Sequence, residues 1–234
     1  MEITFEGWPA EAPALLEQLA ADNTPEFWTA HRHRFEAGVR GPMQALARAL
    51  EPGFGTARVF RPQVNRRFRP DAPPYRTDTG CLARSAGGCV LGVVLSSSAL
   101  TVSAGHRAFD GPQLRRYRAA VGGEAGAELG TILDALDGWA VEEPRMPAGR
   151  PRGYAADHPR LGLLRHRGLQ VGRGWELGCW LQTAAPLERV REAWLAAGPL
   201  VGWLDEHVGP ADPVPPRPRP PALPLPDGVG AAGG

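Results

Sequence analysis

The chain has no lysine. All 26 of its lysine-plus-arginine positions are arginine, set against 25 aspartates and glutamates, for a formal charge of +1 over 234 residues. A chain this close to neutral has no global field to draw it onto DNA or an anionic membrane. Isoleucine and asparagine are nearly as scarce: only Ile3, Ile132, Asn23 and Asn65 occur. With 30 glycines and 25 prolines, the skew is what a GC-rich coding sequence produces. By default, then, an arginine here stands where lysine would serve elsewhere, and only the placement of arginines is informative.

Cysteine is sparse too. Cys81, Cys89 and Cys179 are odd in number and form no CxxC pair, which argues against a disulfide framework and against a zinc site. The longest apolar run, "CVLGVVL", is far too short for a bilayer, so no membrane partner is expected. The start "MEITFEGWPAEAP" lacks both the basic and the apolar part of a secretory signal, and a reducing cytoplasm is the expected compartment. Hydrophobic residues at 43% and charged ones at 22% suit a soluble globular protein long enough to bury a core.

The residues that are present pattern into helices at both ends. "PALLEQLAADN" puts Leu15, Leu16 and Leu19 on one stripe. Thr24 caps a second helix, with Pro25 at its first position and Glu26 in its first turn. Trp28, His31, Phe35 and Val39 form its buried face, and Gly41-Pro42 is expected to break it before "MQALARALE" resumes. "TARVFR" reads as a strand and "GGCVLGVVLSSSALTVSAG" as a hairpin about a serine turn. "DGPQLRRYRAAV", capped by Asp110, and "AELGTILDALDG" read as helices, "WAVEE" and "GLQVGR" as strands, and "PRLGLLRHR" as a short helix. "APLERVREAWLAAGPLVGWLDEHVG" is a closing helix pair kinked at Gly198-Pro199. Strands gather in the middle rather than alternating with helices, which predicts α+β: N-terminal helices, a central mostly antiparallel sheet and C-terminal helices in one domain over 1–209. Residues 210–234 hold nine prolines and predict an extended or disordered tail, in which "PPRPRPPALP" has the form of a polyproline ligand or is a drifting GC-rich end.

Six separated stretches, in order, carry a family likeness: "FEGW", "LLEQLAADNTPEFWTAHRHRFE", "VFRPQVNRRFRPDAPPYRT", "LRRYRAAV", "PRGYAADHPRLGLLRHR" and "PLVGWL". Over roughly residues 5 to 209 the chain resembles the bacterial conserved hypothetical proteins catalogued as domain of unknown function twenty-four sixty-one. The resemblance implies one soluble domain and supplies no activity. Arg67-Phe68, Asp71, Pro74-Tyr75 and Thr77 match that pattern, with Arg76 for its usual lysine. Val64-Asn65 replaces its Arg-Asp pair and Ala72 another lysine, so a site resting on those groups is altered or lost in this chain.

The segment "RRFRPDAPPYRT" belongs to a strip from Arg58 to Arg84 with seven arginines against Asp71 and Asp78. Pro62, Pro70, Pro73 and Pro74 stiffen it, and preorganised guanidinium forks suit carboxylate and phosphate. Phe68 and Tyr75 are placed to anchor it. The second basic loop brings Arg150, Arg152, Tyr154, Asp157, His158, Arg165 and His166, with Asp157 expected to cap the helix after Pro159. If the two loops converge, Arg61, Asn65, Arg67, Arg69, Asp71, Tyr75, Arg76, Arg152, Tyr154 and Arg165 form a site for a small anion, with His158 as acid or base. Two other readings stand beside this one: arginines paired or solvated for structure, and a nucleic-acid or protein interaction strip. His31 and His33 point to different helix faces and make a poor metal pair, no metal site is expected, and no glycine run has dinucleotide or P-loop spacing, so no cofactor is expected. Cys81 and Cys89 read as buried apolar residues rather than nucleophiles.

Overall fold

Proline and threonine open the helical half of the molecule. The structure, a computed structural model, describes residues 4–67, 69–142 and 151–212. Helix α1 (Ala12–Ala21) buries Leu15, Leu16 and Leu19. Helix α2 (Pro25–Phe35) starts where Thr24 Oγ1 accepts the Phe27 N–H at 3.2 Å, satisfying one of the orphan donors of the first turn. The expected break at Gly41-Pro42 does not occur. A π turn (Glu36–Arg40) carries the chain straight into α3 (Gly41–Phe54), and Gly41 N–H bonds Glu36 O, five residues back. The widened turn absorbs a proline that has no N–H to give, without ending the helix. Trp8 Nε1 donates to Val39 O at 3.1 Å and pins the turn to the N-terminal segment.

Among the described residues six strands make one sheet, all neighbours antiparallel, in the order β1-β2-β3-β4-β6-β5. They are β1 (Arg58–Val59), β2 (Thr79–Arg84), β3 (Val90–Leu95), β4 (Ala99–His106), β5 (Ala140–Val141) and β6 (Leu169–Glu176). The serine turn is as expected, with Ser96 Oγ accepting the Ala99 N–H at 3.0 Å. Strand β2 was not foreseen, because "TGCLAR" offers a single β-branched residue to betray it. Cys81, Ala83, Leu91, Val93, Leu95, Leu100, Val102, Ala104, Leu169 and Val171 alternate onto one buried face. On that face pack α3, α7 (Ala185–Ala196) and α8 (Gly198–His207). Helix α4 (Gly111–Gly122) begins in a capping box of Asp110 and Gln113, and it packs with α5 (Ala125–Asp134), α6 (Leu161–Leu164) and α8. The fold is α+β. No helix among the described residues is long and apolar enough to cross a membrane. Residues 213–234, which hold the proline-rich segment, lie outside those described.

His106 closes β4 at 7% exposure, and its Nε2 has no hydrogen-bond partner among the described residues. Gly88 lies beside it, and a Cβ there would stand 3.7 Å from both His106 Cε1 and Pro210 Cα. The segment at Gly209 and Pro210 is tied down: Gln113 Nε2 donates to Gly209 O at 2.8 Å and Arg116 Nη2 to Pro210 O at 2.8 Å. Burial pushes the imidazole below its ordinary 6.5 and Arg84 adds to that, while Asp205 and Asp110 pull the other way. Below pH 6.5 the unfolded chain therefore takes up a proton that the folded one refuses, so stability falls as pH falls through that window. Melting curves across the window should show that decline in the native chain and a flatter profile in His106→Phe. An identical slope in the variant would assign the decline to other groups.

Candidate functional site

The arginine strip leaves β1, loops out, and returns to the sheet at β2. Gln63 and Tyr75 bridge its two arms, Val64 N–H bonds Pro74 O at 2.9 Å, and Arg76 N–H bonds Pro62 O at 2.8 Å. Asn23, one of the two asparagines, clamps the loop from the turn before α2. Its Oδ1 accepts the Tyr75 N–H and its Nδ2 donates to Tyr75 O, both at 3.0 Å. The Tyr75 ring lies on Trp28 of α2 with centroids 4.6 Å apart and planes 14° apart. The expected anchoring role of Tyr75 is thus what the geometry shows; Phe68 lies outside the described residues.

Two cavities adjoin along this hairpin. The outer one is a groove of about 600 Å³ whose lining includes Arg58, Arg61, Arg76 and Arg84, with Thr56, Gln63 and Asn65 as neutral polar groups and no carboxylate among the described residues. Arg58 faces Leu82 across the β1–β2 register, and Arg84 follows two residues later on the same face of the sheet. Among the described residues no ion pair forms at Arg58, Arg61 or Arg84. Arg76 is held in place: Nε and Nη2 both donate to Asp78 Oδ1, at 2.7 and 2.6 Å, and its guanidinium lies 4.4 Å over the Phe60 ring. That ring rests on Gly80 of β2, where a Cβ would stand 2.7 Å from Phe60 Cε2 and 2.5 Å from Val93 O, so only glycine admits it. The inner cavity, about 30 Å³, is walled by Leu16, Trp28, Phe35, Val39 and Phe60 and carries Arg40, Glu36, Asp78 and Thr79 as polar groups. Phe60, Arg61 and Arg76 line both cavities. Arg40 Nη1 pairs with Glu36 Oε2 at 3.1 Å across the π turn, whereas Arg40 Nε is buried and has no hydrogen-bond partner among the described residues.

Of the residues expected from sequence, Arg61, Asn65 and Arg76 meet in the groove, and Tyr75 stands behind it. Arg67, Arg69 and Asp71 lie on the exposed tip of the loop, where Asn65 Oδ1 accepts the Arg67 N–H at 3.1 Å and Arg69 N–H bonds Arg66 O at 3.1 Å. The second basic loop does not join them. It leads into β6, three strands across the sheet from β2, or about 14 Å at ordinary strand spacing. Tyr154 there donates its hydroxyl to Arg118 O at 2.7 Å, and Arg160 caps the end of α4 through Val121 O at 2.7 Å and Gly123 O at 2.9 Å. Arg152 is exposed, and Arg165 and His158 are half-buried in the same loop. Asp157 does not cap α6: the Arg160 N–H is accepted by His158 Nδ1 at 3.1 Å, which occupies that lone pair. Arg150 lies outside the described residues. Cys81 and Cys89 are buried, as expected, and burial pushes the Cys81 thiol up to about 12, leaving no thiolate for nucleophilic work near neutral pH. No group of three or more His, Cys, Asp or Glu among the described residues is placed to hold a metal.

A family model described as a conserved hypothetical protein, DUF2461, matches residues 11–203. The chain belongs to that family. The match runs from just before α1 into α8 and so takes in every residue of both cavities. No curated protein matches the chain. In this DUF2461 member Val64 and Asn65 fall in the lining of the outer groove. The inner cavity, the contribution of Arg58 and Arg84, and the role of Phe60 escape sequence reading. The alternation Arg58, Phe60 and Leu82, Arg84 on paired strands was their only signal.

Proposed function

We propose that the protein binds a small phosphate- or carboxylate-bearing ligand in the groove formed by Arg58, Arg61, Arg76 and Arg84, with Asn65 as a neutral donor. The observation that carries this reading is a groove lined by four arginines with no acidic side chain among its described lining residues. Arg58, Arg61 and Arg84, which have no ion-pair partner among the described residues, repel one another and are stabilised when an anion enters. Proline bracing, the Asn23 clamp and the Arg76–Asp78 fork lower the entropy lost on binding. The alternative of single-stranded nucleic acid gripped by the same strip is less well supported, because Tyr75 already spends one face of its ring on Trp28 rather than offering it to a base.

A thermal-shift screen of phosphate, sugar phosphates and carboxylates tests the reading, since a ligand of the folded state alone raises the melting temperature by mass action. Arg61→Ala should weaken binding by about ten- to a hundredfold, the cost of one charge-assisted hydrogen bond. A shift left intact in Arg61→Ala would place the anion elsewhere. Retention on oligonucleotide that vanishes with modest salt, with no small-anion shift, would favour the nucleic-acid reading instead.

A further inference from the structure

The small cavity beside the groove constrains what the anion is attached to. Leu16, Trp28, Phe35, Val39 and Phe60 give it a largely apolar wall, Glu36 and Asp78 in its lining are already paired with Arg40 and Arg76, and it shares Arg61 and Arg76 with the groove. A water occupies at least about 10–15 Å³ of such space, so about 30 Å³ admits only two or three heavy atoms and no ring. Arg40, also in its lining, carries the buried Nε that has no partner. An unpaired buried donor is costly, and an acceptor delivered by a ligand would relieve it. On the groove side, Arg58, Arg61 and Arg84 have no ion-pair partners among the described residues, while the charge of Arg76 is already matched by Asp78. Three uncompensated cations favour a dianion over a monocarboxylate, because each guanidinium gains about twice the Coulomb energy from two charges.

Resting on the groove reading above, we infer that the ligand is a phosphate ester of a short, unbranched two- or three-atom alcohol. Its phosphate lies among Arg58, Arg61 and Arg84, and its arm enters the Trp28–Phe60 cavity to set a hydroxyl or carbonyl oxygen against Arg40 Nε. Arg76 stands between the two compartments, where its fork to Asp78 and its stacking on Phe60 keep it from swinging into either. The arm selects for size, and the phosphate supplies the attraction.

Titration calorimetry on the full chain with inorganic phosphate, 2-hydroxyethyl phosphate, glycerol 3-phosphate, phenyl phosphate and lactate decides the matter. The inference expects 2-hydroxyethyl phosphate to bind about tenfold tighter than phosphate, the return on one or two buried carbons and one hydrogen bond. Glycerol 3-phosphate, whose branched five-atom arm exceeds the cavity, and phenyl phosphate should gain nothing over phosphate, and lactate should bind more weakly than any phosphate. Val39→Leu, which fills the cavity, should bring 2-hydroxyethyl phosphate down to the affinity of phosphate and leave phosphate unchanged. The wild-type ligand series stands alone if that variant does not fold. Phosphate binding with no gain from the short arm, or with the largest gain from the phenyl ring, overturns the cavity assignment and leaves the groove reading standing. Lactate binding as tightly as the esters overturns the choice of phosphate. Failure of every anion to bind overturns the groove reading, and this inference with it.

Discussion

Trp28→Ala is expected to cost about 3–5 kcal/mol of stability, the usual range for emptying a buried aromatic site. The indole is buried, stacks on Tyr75 at 4.6 Å and packs on Phe35 at 5.3 Å, and it walls the inner cavity. It therefore joins three layers: helix α2, the arginine hairpin and the cavity between them. Collapse is hindered, because the π turn behind it is held by Trp8 and the hairpin in front of it by Asn23. Denaturant unfolding would read the loss as a lower midpoint at unchanged slope. Trp28→Phe should recover part of it through the retained ring contact. A loss below about 1 kcal/mol would mean that the hairpin closes over the gap and that the stacking is incidental.

Gly105→Ala should be at least as damaging. Gly105 sits in β4 opposite Gln170 with φ at +122°, a conformation L side chains rarely adopt. A Cβ there would stand 2.2 Å from Leu169 O and 3.0 Å from Gln170 Cα. Both are backbone atoms of β6, so relief requires the strands to part next to His106 and the core. The conformational cost alone is about 1–3 kcal/mol, before any strand movement. Loss of cooperative unfolding, or failure to recover folded protein, is the expected result. Gly130→Ala, on α5 with nothing within 4 Å of the new methyl, is the matched control and should hold or raise the midpoint. Comparable midpoints for the two variants would show that β4 and β6 yield at this point.

Local chemistry made the helices legible. Thr24-Pro25 and Asp110-Gly111-Pro112 each announce a helix start, and both caps form as their residues require. The serine turn and the closing helix pair follow from equally local signals. What stayed hidden is cooperative. Gly41-Pro42 reads as a stop because the sequence does not show that a π turn takes up the missing N–H, nor that Trp8, thirty-one residues earlier, bonds Val39 O beside it. Of the candidate site, Arg61, Asn65 and Arg76 could be picked from the strip, since they share its stiffness and charge. Arg58 and Arg84 join them only through the strand register. The second basic loop was misplaced for the converse reason: its Tyr154 and Arg160 look free in sequence but are committed to the end of α4.

The sheet ends on both sides in strands of only two residues, Arg58–Val59 and Ala140–Val141. Just past the first, Pro62 has no N–H to offer an incoming chain. The stretches of the longer strands left uncovered carry charge, with Arg84 on one flank and Arg173 and Glu176 on the other. Among the described residues a stranger's backbone thus finds no long, flat rail to zip onto, which disfavours fibril growth by strand addition at both margins.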